Sequence, residues 1–363
     1  MSDSLLKQIE FSLRRLVVRV LRLLIYRHQQ HPSSQNYNSK KVLFIRQDRI
    51  GDVLISTPIF SLLKKYYPNI TLDILLSSNN HFVLDNNPSI NRKWIYKKSI
   101  FNVIQILKSI RNEKYDYLID MMDNPSTTST IFCALAGAQW NIGLAKENDF
   151  VYDIKVPLLS RQNVHIIHRI AQLIIPFGIN PDSEKLQVQY YISQESENIV
   201  EQYLTLHKLN LRNIIGINIS AGSNTRYWGV ENYRSLIKYI NIHHPESSPL
   251  ILYQPADIKI AEEICESLNN VFISQVTNSF DLFAAYIKRL NCLISPDTSA
   301  IHLASAFGVP CVVMYVQSNK NLRIWEPYGI DFETIVTDVD NLSTISIDNV
   351  TSAFDKLINR IRN

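Results

Sequence analysis

Two segments of the sequence carry residue types that bind phosphate groups. In the segment 291–315 a strand-like run precedes a turn, and a short helix over 300–307 follows it. The turn contains Asp297, Thr298 and Ser299. The start of such a helix presents several backbone N–H groups and two hydroxyls at one point, which suits a phosphate or a diphosphate. All three side chains are also good helix caps, so capping is the alternative interpretation.

The second segment, 217–233, places small residues and an arginine after another strand-like run. Gly222 and Ser223 lie in its loop, where small side chains let the backbone approach an anion. Arg226 follows the loop, and a guanidinium can hold phosphate oxygens with two parallel hydrogen bonds. The pattern alone is not specific, but it predicts the same kind of ligand as the first segment.

A third segment, 42–68, carries a carboxylate at a comparable place. A strand over 42–46 leads to Gly51, which permits a sharp turn, and to Asp52 in the first turn of an expected helix. Free N–H groups and the helix dipole stabilise an acid there, so a lone aspartate would be interpreted as a plain cap. The significance of Asp52 therefore depends on the other two segments.

The elements that must position these residues form an alternating pattern. Strand-like runs occur at 42–46, 71–76 and 115–120, and again at 213–219, 249–253, 291–295 and 310–315. Amphipathic stretches separate them, and the turn-rich segment 176–185 has the composition of a hinge. This alternation predicts two α/β domains whose parallel sheets are covered on both faces. A ligand is expected at the carboxyl ends of the strands, in a cleft between the domains.

Composition limits the other possibilities. The chain has 363 residues, a formal net charge of +4 and 46% hydrophobic residues, which predicts a folded protein of two domains. Its glycines form neither a G-x-G pair nor a G-x-x-x-x-G-K-[ST] motif, so a dinucleotide fingerprint and a Walker A loop are excluded. The four cysteines are far apart, which predicts reduced thiols in a cytosolic compartment and no structural zinc.

The basic charge is concentrated at the N-terminus, where residues 1–41 carry +6. Apolar and basic residues over 5–27 recur with helical spacing, which predicts an amphipathic helix, and a polar linker follows over 28–39. Such a helix can lie on an anionic membrane surface, or it can pack on its own protein or a dimer partner. Arginines interrupt it too often for it to span a bilayer, and a nucleic-acid surface is not expected.

Together, the three segments resemble glycosyltransferase family 9, the bacterial heptosyltransferases that build the inner core of lipopolysaccharide. The family's opening pattern, D-R-I-G-D-V-x-x-x-T-P followed by Y-P, is matched by Asp48, Arg49, Ile50, Gly51, Asp52, Val53, Thr57, Pro58, Tyr67 and Pro68. Its pattern D-T-x-x-x-H-L-A-x-A-x-G-x-P is matched by Asp297, Thr298, His302, Leu303, Ala304, Ala306, Gly308 and Pro310. Arg226 and Trp228 stand for a K-x-W signature between them. The resemblance covers roughly residues 41–330.

The resemblance implies an α/β chain with the GT-B fold, in which two Rossmann-like domains face each other across a cleft. An N-terminal amphipathic helix with its linker would occupy residues 1–40, ahead of an acceptor domain over 41–180. The nucleotide-sugar domain would extend over 181–345, and a C-terminal helix over 346–363.

The resemblance also implies an inverting, metal-independent transfer of a sugar, heptose from ADP-heptose first of all, onto a lipopolysaccharide or lipooligosaccharide core or a related surface glycan. Carried onto this sequence, Asp52 would be the general base, with Gly51 and Thr57 on the acceptor side. The donor would be held by Gly222, Ser223, Arg226, Asp297, Thr298, Ser299 and His302. No cofactor and no metal are expected. A lipid-linked saccharide acceptor implies a cytoplasmic enzyme at the inner face of the cytoplasmic membrane of a Gram-negative bacterium.

Several residues near these motifs keep alternatives. His302 fits a core histidine as well as a donor-site residue, and Trp228 is expected to pack and to position Arg226. Asp297 is expected to bind backbone or a hydroxyl, because an acid beside a diphosphate repels it. Asp257 is expected to cap a helix rather than to contact a ribose.

Two other functions fit the same architecture. An epimerase or hydrolase of nucleotide sugars would use acids in the cleft and would consume donor without an acceptor. A catalytically silent nucleotide-sugar-binding protein at the membrane would bind donor and transfer nothing.

Overall fold

The computed structural model describes residues 16–25, 36–209 and 213–362, and the chain divides into two compact units. Unit 1 comprises the chain up to Ser160 together with Ile166–Leu186, and unit 2 comprises Arg161–His165 and the chain from Gln187 onward. The sequence places the boundary at residue 180, whereas the structure places it after Leu186. No helix in the described ranges is long and apolar enough to cross a membrane.

Unit 1 is built around a six-stranded parallel sheet with the strand order β3-β2-β1-β4-β5-β6. The strands are β1 (Lys41–Ile45), β2 (Thr71–Ser77), β3 (Arg92–Tyr96), β4 (Tyr117–Asp120), β5 (Trp140–Leu144) and β6 (Ile154–Val156). The helices are α1 (16–24), α2 (Ile50–Leu54), α3 (Thr57–Tyr66), α4 (Ile100–Glu113), α5 (Thr127–Leu135) and α6 (Ile166–Ala171).

Unit 2 repeats this architecture with the strand order β12-β11-β10-β7-β8-β9, again all parallel. The strands are β7 (Asn213–Asn218), β8 (Ser247–Leu252), β9 (Phe272–Ile273), β10 (Cys292–Pro296), β11 (Cys311–Val316) and β12 (Phe332–Thr337). The helices are α7 (Gln194–Leu206), α8 (Val230–His243), α9 (Ile258–Cys265), α10 (Phe280–Lys288), α11 (Ser299–Phe307) and α12 (Ile347–Arg362).

Both sheets have the doubly wound Rossmann order, and the predicted α/β fold class is confirmed. The central strands bury both faces: Val42 to Ile45 of β1 are fully inaccessible, as a strand covered by helices on both sides must be. The chain reverses direction of winding between β1 and β4 in unit 1, and between β7 and β10 in unit 2. Ligands of such folds bind at the carboxyl ends of the strands at these switch points.

The N-terminal segment is described only in part. Residues 16–24 form helix α1, Ile25 is no longer helical, and the other residues of the helix predicted over 5–27 lie outside the described residues. The linker predicted over 28–39 ends earlier than expected, because Tyr37 is buried in unit 1. Its ring contacts Tyr67, Tyr117 and Phe177 with centroid distances of 5.2, 5.9 and 5.0 Å.

The helix expected after Asp52 is divided into two. Helix α2 ends at Leu54, and α3 begins at Thr57 with Pro58 in its first turn. Proline has no N–H group, so it fits the start of a helix and not its interior. The Thr57 hydroxyl donates to the Leu54 carbonyl at 2.7 Å across the break. The apolar spacing of the sequence continues through this break and therefore gives no sign of it.

Candidate active site

A buried arginine organises the carboxyl end of β1. The Arg46 side chain is fully inaccessible, and its Nε donates to the Asp52 carbonyl at 3.0 Å. Its Nη2 donates to Asp52 Oδ1 at 3.2 Å, and its Nη1 lies 3.3 Å from Asp48 Oδ2. Nη1 also donates to the Met121 carbonyl after β4, so Arg46 joins the two strands at the switch point. A guanidinium out of contact with water needs such partners, because an unpaired buried charge is very costly.

Asp52 is held at both carboxylate oxygens. Oδ1 accepts from Arg46, and Oδ2 accepts from the Arg49 backbone N–H at 3.2 Å, so the capping role expected from the sequence is present. Asp52 is 5% exposed and sits in the first turn of α2. Each carboxylate oxygen has two lone pairs, so these contacts leave acceptor capacity for a hydroxyl proton. The base role stays a prediction.

Asp48 is the second carboxylate of this group, and its environment differs. Its Oδ1 is buried and accepts no hydrogen bond within the described part of the chain. Burial, together with the negative charge of Asp52, raises the pKa of Asp48 from 3.8 to about 7, although Arg46 acts in the opposite direction. Asp48 belongs to the matched motif, but its residue type and spacing alone do not assign it a chemical role. At neutral pH it lies close to its titration midpoint.

Two further buried ion pairs lie at the same edge of unit 1. Lys146 Nζ lies 3.1 Å from Asp120 Oδ2, and Arg169 Nη2 lies 3.0 Å from Asp123 Oδ2. All four side chains are at most 8% exposed. The sequence contained one usable signal for Asp120, a carboxylate at the end of an otherwise apolar strand run. Lys146 and Arg169 carried no comparable signal.

Gly51 and Thr57, which the sequence assigns to the acceptor side, lie in α2 and at the start of α3. Thr57 is fully buried, with its hydroxyl turned to the main chain, so it holds the turn and does not face solvent. Gly51 lies inside α2 and is absent from the described residues with positive φ, so its turn does not depend on glycine. A glycine near the predicted donor loop of unit 2 does require its backbone freedom: φ is 106° at Gly229, immediately before α8.

In unit 2, an amide side chain joins the two strand ends that carry the predicted donor residues. Asn218 closes β7, and its Nδ2 donates to Ser295 Oγ at 3.0 Å and to Thr298 Oγ1 at 3.2 Å, both associated with β10. Thr298 is the N-cap of α11 and accepts from the Ala300 N–H at 3.3 Å. The structure therefore fixes the start of α11 against the end of β7. Asn218 ends a strand run in the sequence but was not recognised as a site residue.

Arg226 and Asp297 form an ion pair across these two loops. Arg226 Nη1 lies 3.0 Å from Asp297 Oδ2, and each side chain is one-third exposed. A guanidinium was not the partner expected for Asp297, for which backbone or a hydroxyl was predicted. The pair brings a cation to the start of α11, where backbone N–H groups are also directed. The two segments that the sequence predicts to bind phosphate thus meet in unit 2.

The remaining predicted donor residues differ in accessibility. Gly222 and Ser223 are exposed, and Ser223 Oγ lies 3.1 Å from Thr225 Oγ1. Ser299 is the first residue of α11 and is partly exposed. His302 is only 5% exposed, and burial together with nearby His165 lowers its pKa to about 3. Its imidazole is therefore neutral at pH 7 and supplies no positive charge to a phosphate.

Trp228 and Asp257, which lie near the predicted donor residues in the sequence, both have hydrogen-bond partners within unit 2. Trp228 is fully buried and its Nε1 donates to the Ile345 carbonyl at 2.8 Å, so the predicted packing role is confirmed. Asp257 stands at the N-cap of α9 without a side-chain cap bond, contrary to the expectation that it caps the helix. Its Oδ2 instead accepts from Ser220 Oγ at 2.7 Å and fixes the loop after β7. Within the described ranges, no group of three or more His, Cys, Asp or Glu side chains has a metal-binding arrangement.

Two Rossmann-type units, each with a polar cluster at its switch point, match the GT-B fold of solved heptosyltransferase structures. The profile of glycosyltransferase family 9 (heptosyltransferase) matches residues 103–349, which is more than half of the chain. The chain belongs to this family and is a glycosyltransferase.

Individual relatives are distant in sequence and similar in fold. The chain is 22% identical to lipopolysaccharide heptosyltransferase 3 of Escherichia coli over 291 residues, covering 77% of this chain and 84% of that protein. The family 9 glycosyltransferase structure from Veillonella parvula is 20% identical, with a TM-score of 0.77 over 90% of this chain and 99% of that one. The E. coli heptosyltransferase WaaC with ADP-2-deoxy-2-fluoro heptose is 15% identical, with a TM-score of 0.70 over 87% and 99%.

Proposed function

We propose that the protein transfers heptose from ADP-heptose, with inversion and without a metal, onto a lipopolysaccharide or lipooligosaccharide core or a related surface glycan. The observation that carries this proposal is that unit 1 has a carboxylate group at its switch point and that unit 2 has a cationic, hydroxyl-lined switch point of its own. The relatives whose names specify lipopolysaccharide heptosyltransferases support the sugar and the acceptor class. The solved structure of the E. coli heptosyltransferase WaaC with ADP-2-deoxy-2-fluoro heptose supports ADP-heptose as the donor.

The donor half of the proposal rests on three features of unit 2. Arg226 supplies one positive charge at a partly exposed position, and the N-terminus of α11 supplies backbone N–H groups. Thr298 and Ser299 add hydroxyls at the same place. A departing nucleoside diphosphate gains negative charge as the glycosidic bond breaks, and groups of this kind stabilise it without a metal. Arg226 would leave Asp297 for the diphosphate, since charge-assisted pairs with phosphate can be bidentate.

The acceptor half of the proposal rests on Asp52. A sugar hydroxyl is a poor nucleophile until a carboxylate accepts its proton. In the proposed step, the proton passes from the acceptor hydroxyl to Asp52 while the oxygen bonds to the anomeric carbon. The bond from that carbon to the diphosphate breaks, and ADP leaves with the electron pair. Arg46 and the Arg49 N–H orient the carboxylate for this step.

We also propose that the N-terminal segment over 5–27 docks a cytoplasmic enzyme on an anionic membrane that carries the lipid-linked acceptor. In helix α1, Leu23 and Leu24 are 87% and 75% exposed, which leaves an apolar surface available. Arg22 donates to the Glu147 carbonyl at 2.6 Å and lies over the Phe150 ring at 5.0 Å. These contacts tether α1 to unit 1, which also fits the alternative that the helix packs on its own protein.

The decisive experiment compares the parent with Asp52→Asn. Both are incubated with ADP-heptose and other nucleotide sugars, with and without a core saccharide acceptor, and product mass is followed. We expect Asp52→Asn to retain donor binding and to lose at least about 100-fold in turnover. The substitution removes a partner of buried Arg46, so some loss of stability is also expected, and rates are corrected for the folded fraction.

Asp348→Asn is the matched control, because Asp348 is an exposed aspartate in the first turn of α12, far in sequence from the site. Near-normal turnover of Asp52→Asn would remove Asp52 as the base. Donor consumption by the parent without acceptor would favour an epimerase or hydrolase. Donor binding with no turnover of any donor would favour a silent binding protein.

A further inference from the structure

Helix α4 presents large apolar side chains to solvent. Ile100, Phe101 and Ile104 are 78%, 85% and 59% exposed. They share one face of the helix at its N-terminal end, as residues three and four apart do. Further along the helix, Ile106, Leu107 and Ile110 are buried in the core of unit 1. Single exposed apolar residues are common, but three neighbours in one turn form a patch that normally contacts something.

Lysines surround this patch. Lys97, Lys98 and Lys108 are exposed, and no acidic residue occurs between positions 93 and 112. Over 92–114 the chain has seven cationic residues and one acid, Glu113. That acid is engaged by Arg92 and Lys41. The surface formed by Ile100, Phe101, Ile104, Lys97, Lys98 and Lys108, here called the α4 face, is therefore both apolar and cationic.

Helices α4 and α1 are both linked to one core cluster of unit 1. The core cluster beneath α4 includes Ile106 and Leu107, and Phe150 packs against that cluster. Arg22 of α1 lies over the Phe150 ring. Both surfaces combine exposed apolar side chains with basic residues, so they can contact one extended partner together.

The charge of the α4 face selects among partners. A symmetric dimer through this face would bring the lysines of two copies together, and no acid on the face would meet them. An anionic bilayer satisfies both components, because apolar side chains enter the interface while lysines stay among the headgroups.

We propose that the α4 face inserts into the interface of an anionic membrane as a second docking surface on unit 1, independent of residues 5–27. This inference deepens the proposed function and rests on it for the presence of a lipid-linked acceptor. Membrane contact at α4 would hold the acceptor half of the enzyme at the surface on which its substrate lies.

The test measures binding of the full-length protein to phosphatidylcholine vesicles with and without phosphatidylglycerol. The variant carries Ile100→Ser, Phe101→Ser and Ile104→Ser, and we expect its partition onto anionic vesicles to fall at least about 10-fold. Lys97→Gln, Lys98→Gln and Lys108→Gln together should reduce the preference for phosphatidylglycerol. The matched control replaces Leu206 and Ile242, exposed at 78% and 72% in unit 2, with serine. It should bind like the parent.

Direct contact is tested with Phe101→Trp and vesicles of brominated lipid. Greater quenching than in the parent protein supports insertion of α4, and no additional quenching overturns the proposal. Unchanged vesicle binding by the triple serine variant also overturns it and leaves docking to the N-terminal segment. A parent dimer that becomes a monomer in this variant would assign the face to a second copy and overturn it as well.

Turnover of a delipidated acceptor separates this inference from the proposed function. The triple serine variant should match the parent in that assay, because none of its positions lies at the site. Loss of vesicle binding in a protein that transfers no sugar would leave the α4 face intact as a proposal and reject the transferase. Normal sugar transfer together with normal vesicle binding in the triple serine variant would reject the α4 face as a docking surface and leave the transferase proposal intact.

Discussion

Asp48 and Asp52 lie 3.3 and 3.2 Å from one buried guanidinium, that of Arg46, and their hydrogen-bond partners differ. Asp52 has Arg46 and a backbone N–H as donors, whereas Asp48 has a buried oxygen with no donor among the described residues. Burial without a hydrogen-bond donor favours the neutral form of a carboxyl, and donors favour the charged form. Burial therefore raises the pKa of Asp48, and the titration of Asp48 changes the charge beside the proposed base.

Replacing Asp48 with asparagine should change the pH dependence of stability. The pKa of Asp48 is raised from 3.8 to about 7 on folding, so between these values the folded state binds more protons than the unfolded state. The free energy of unfolding then falls as pH rises across this window. Asp48→Asn removes this contribution. The free energy of unfolding of the variant, relative to that of the parent, should therefore increase by at least about 1 kcal/mol as the pH is raised from about 4 to about 7.

Urea unfolding at the two ends of that window checks the expectation. Asp331→Asn serves as the control, because the Asp331 side chain is 57% exposed in unit 2. A difference between Asp48→Asn and the parent that stays constant with pH would contradict the assignment of the raised pKa to Asp48.

At the scale of secondary structure, each site is a strand end followed by a loop and a helix start. The sequence predicted this for β1, β7 and β10, because apolar runs followed by small, acidic or hydroxyl residues are typical of such junctions. Asp52, Arg226 and Thr298 were found in this way. The fold class followed from the alternation of strands and helices in the same manner.

What the sequence could not predict is how separate elements pair. The buried partners Lys146 and Arg169 lie on segments far along the chain from Asp120 and Asp123, and their pairing depends on strand order. The Arg226–Asp297 pair joins loops 71 residues apart. Strand β9 has two residues, too few for a period to be visible. Long-range contacts and very short strands leave no local pattern.

The two loops at the switch point of unit 2 should act together in donor binding. Arg226→Ala removes the one cation that the structure brings to the start of α11 from the loop after β7. Loss of a hydrogen bond to a charged group costs about 1.5–3 kcal/mol, which corresponds to about 10- to 150-fold in affinity for ADP. Arg226→Lys keeps the charge without the planar fork, so its effect should be smaller.

Calorimetric titration with ADP measures these affinities. Arg289→Ala is a suitable control, because Arg289 is a partly exposed arginine of unit 2 paired with Glu201. Equal ADP affinity of Arg226→Ala and the parent would place Arg226 outside the donor site, and the ion pair with Asp297 would then be structural only.

Over the whole molecule, positive charge is gathered in two segments rather than spread. Residues 1–41 carry +6 and residues 92–114 carry another +6, so the rest of the chain carries −8. The sequence indicated only the first of these, because the second is interleaved with the strands and helices of a folded unit. Arg22 of helix α1 contacts Phe150, which packs against the core cluster that contains Ile106 and Leu107 of α4. A polarity of this kind orients a protein at an anionic surface.

If both surfaces contact the bilayer, their contributions should combine. Leu23→Ser with Leu24→Ser, and the triple serine variant of α4, should each weaken binding to anionic vesicles. The five substitutions together should weaken it by about the product of the two effects, since free energies of independent contacts add. Raising the salt from about 0.1 M to 1 M shortens the screening length from about 10 Å to 3 Å, so binding of the parent should also fall. Sedimentation with vesicles at the two salt concentrations measures each effect.

If the variant with five substitutions binds vesicles no more weakly than the variant with the three substitutions in α4, helix α1 does not touch the bilayer. Its contacts through Arg22 with Glu147 and Phe150 would then describe a helix packed on unit 1, with docking left to α4.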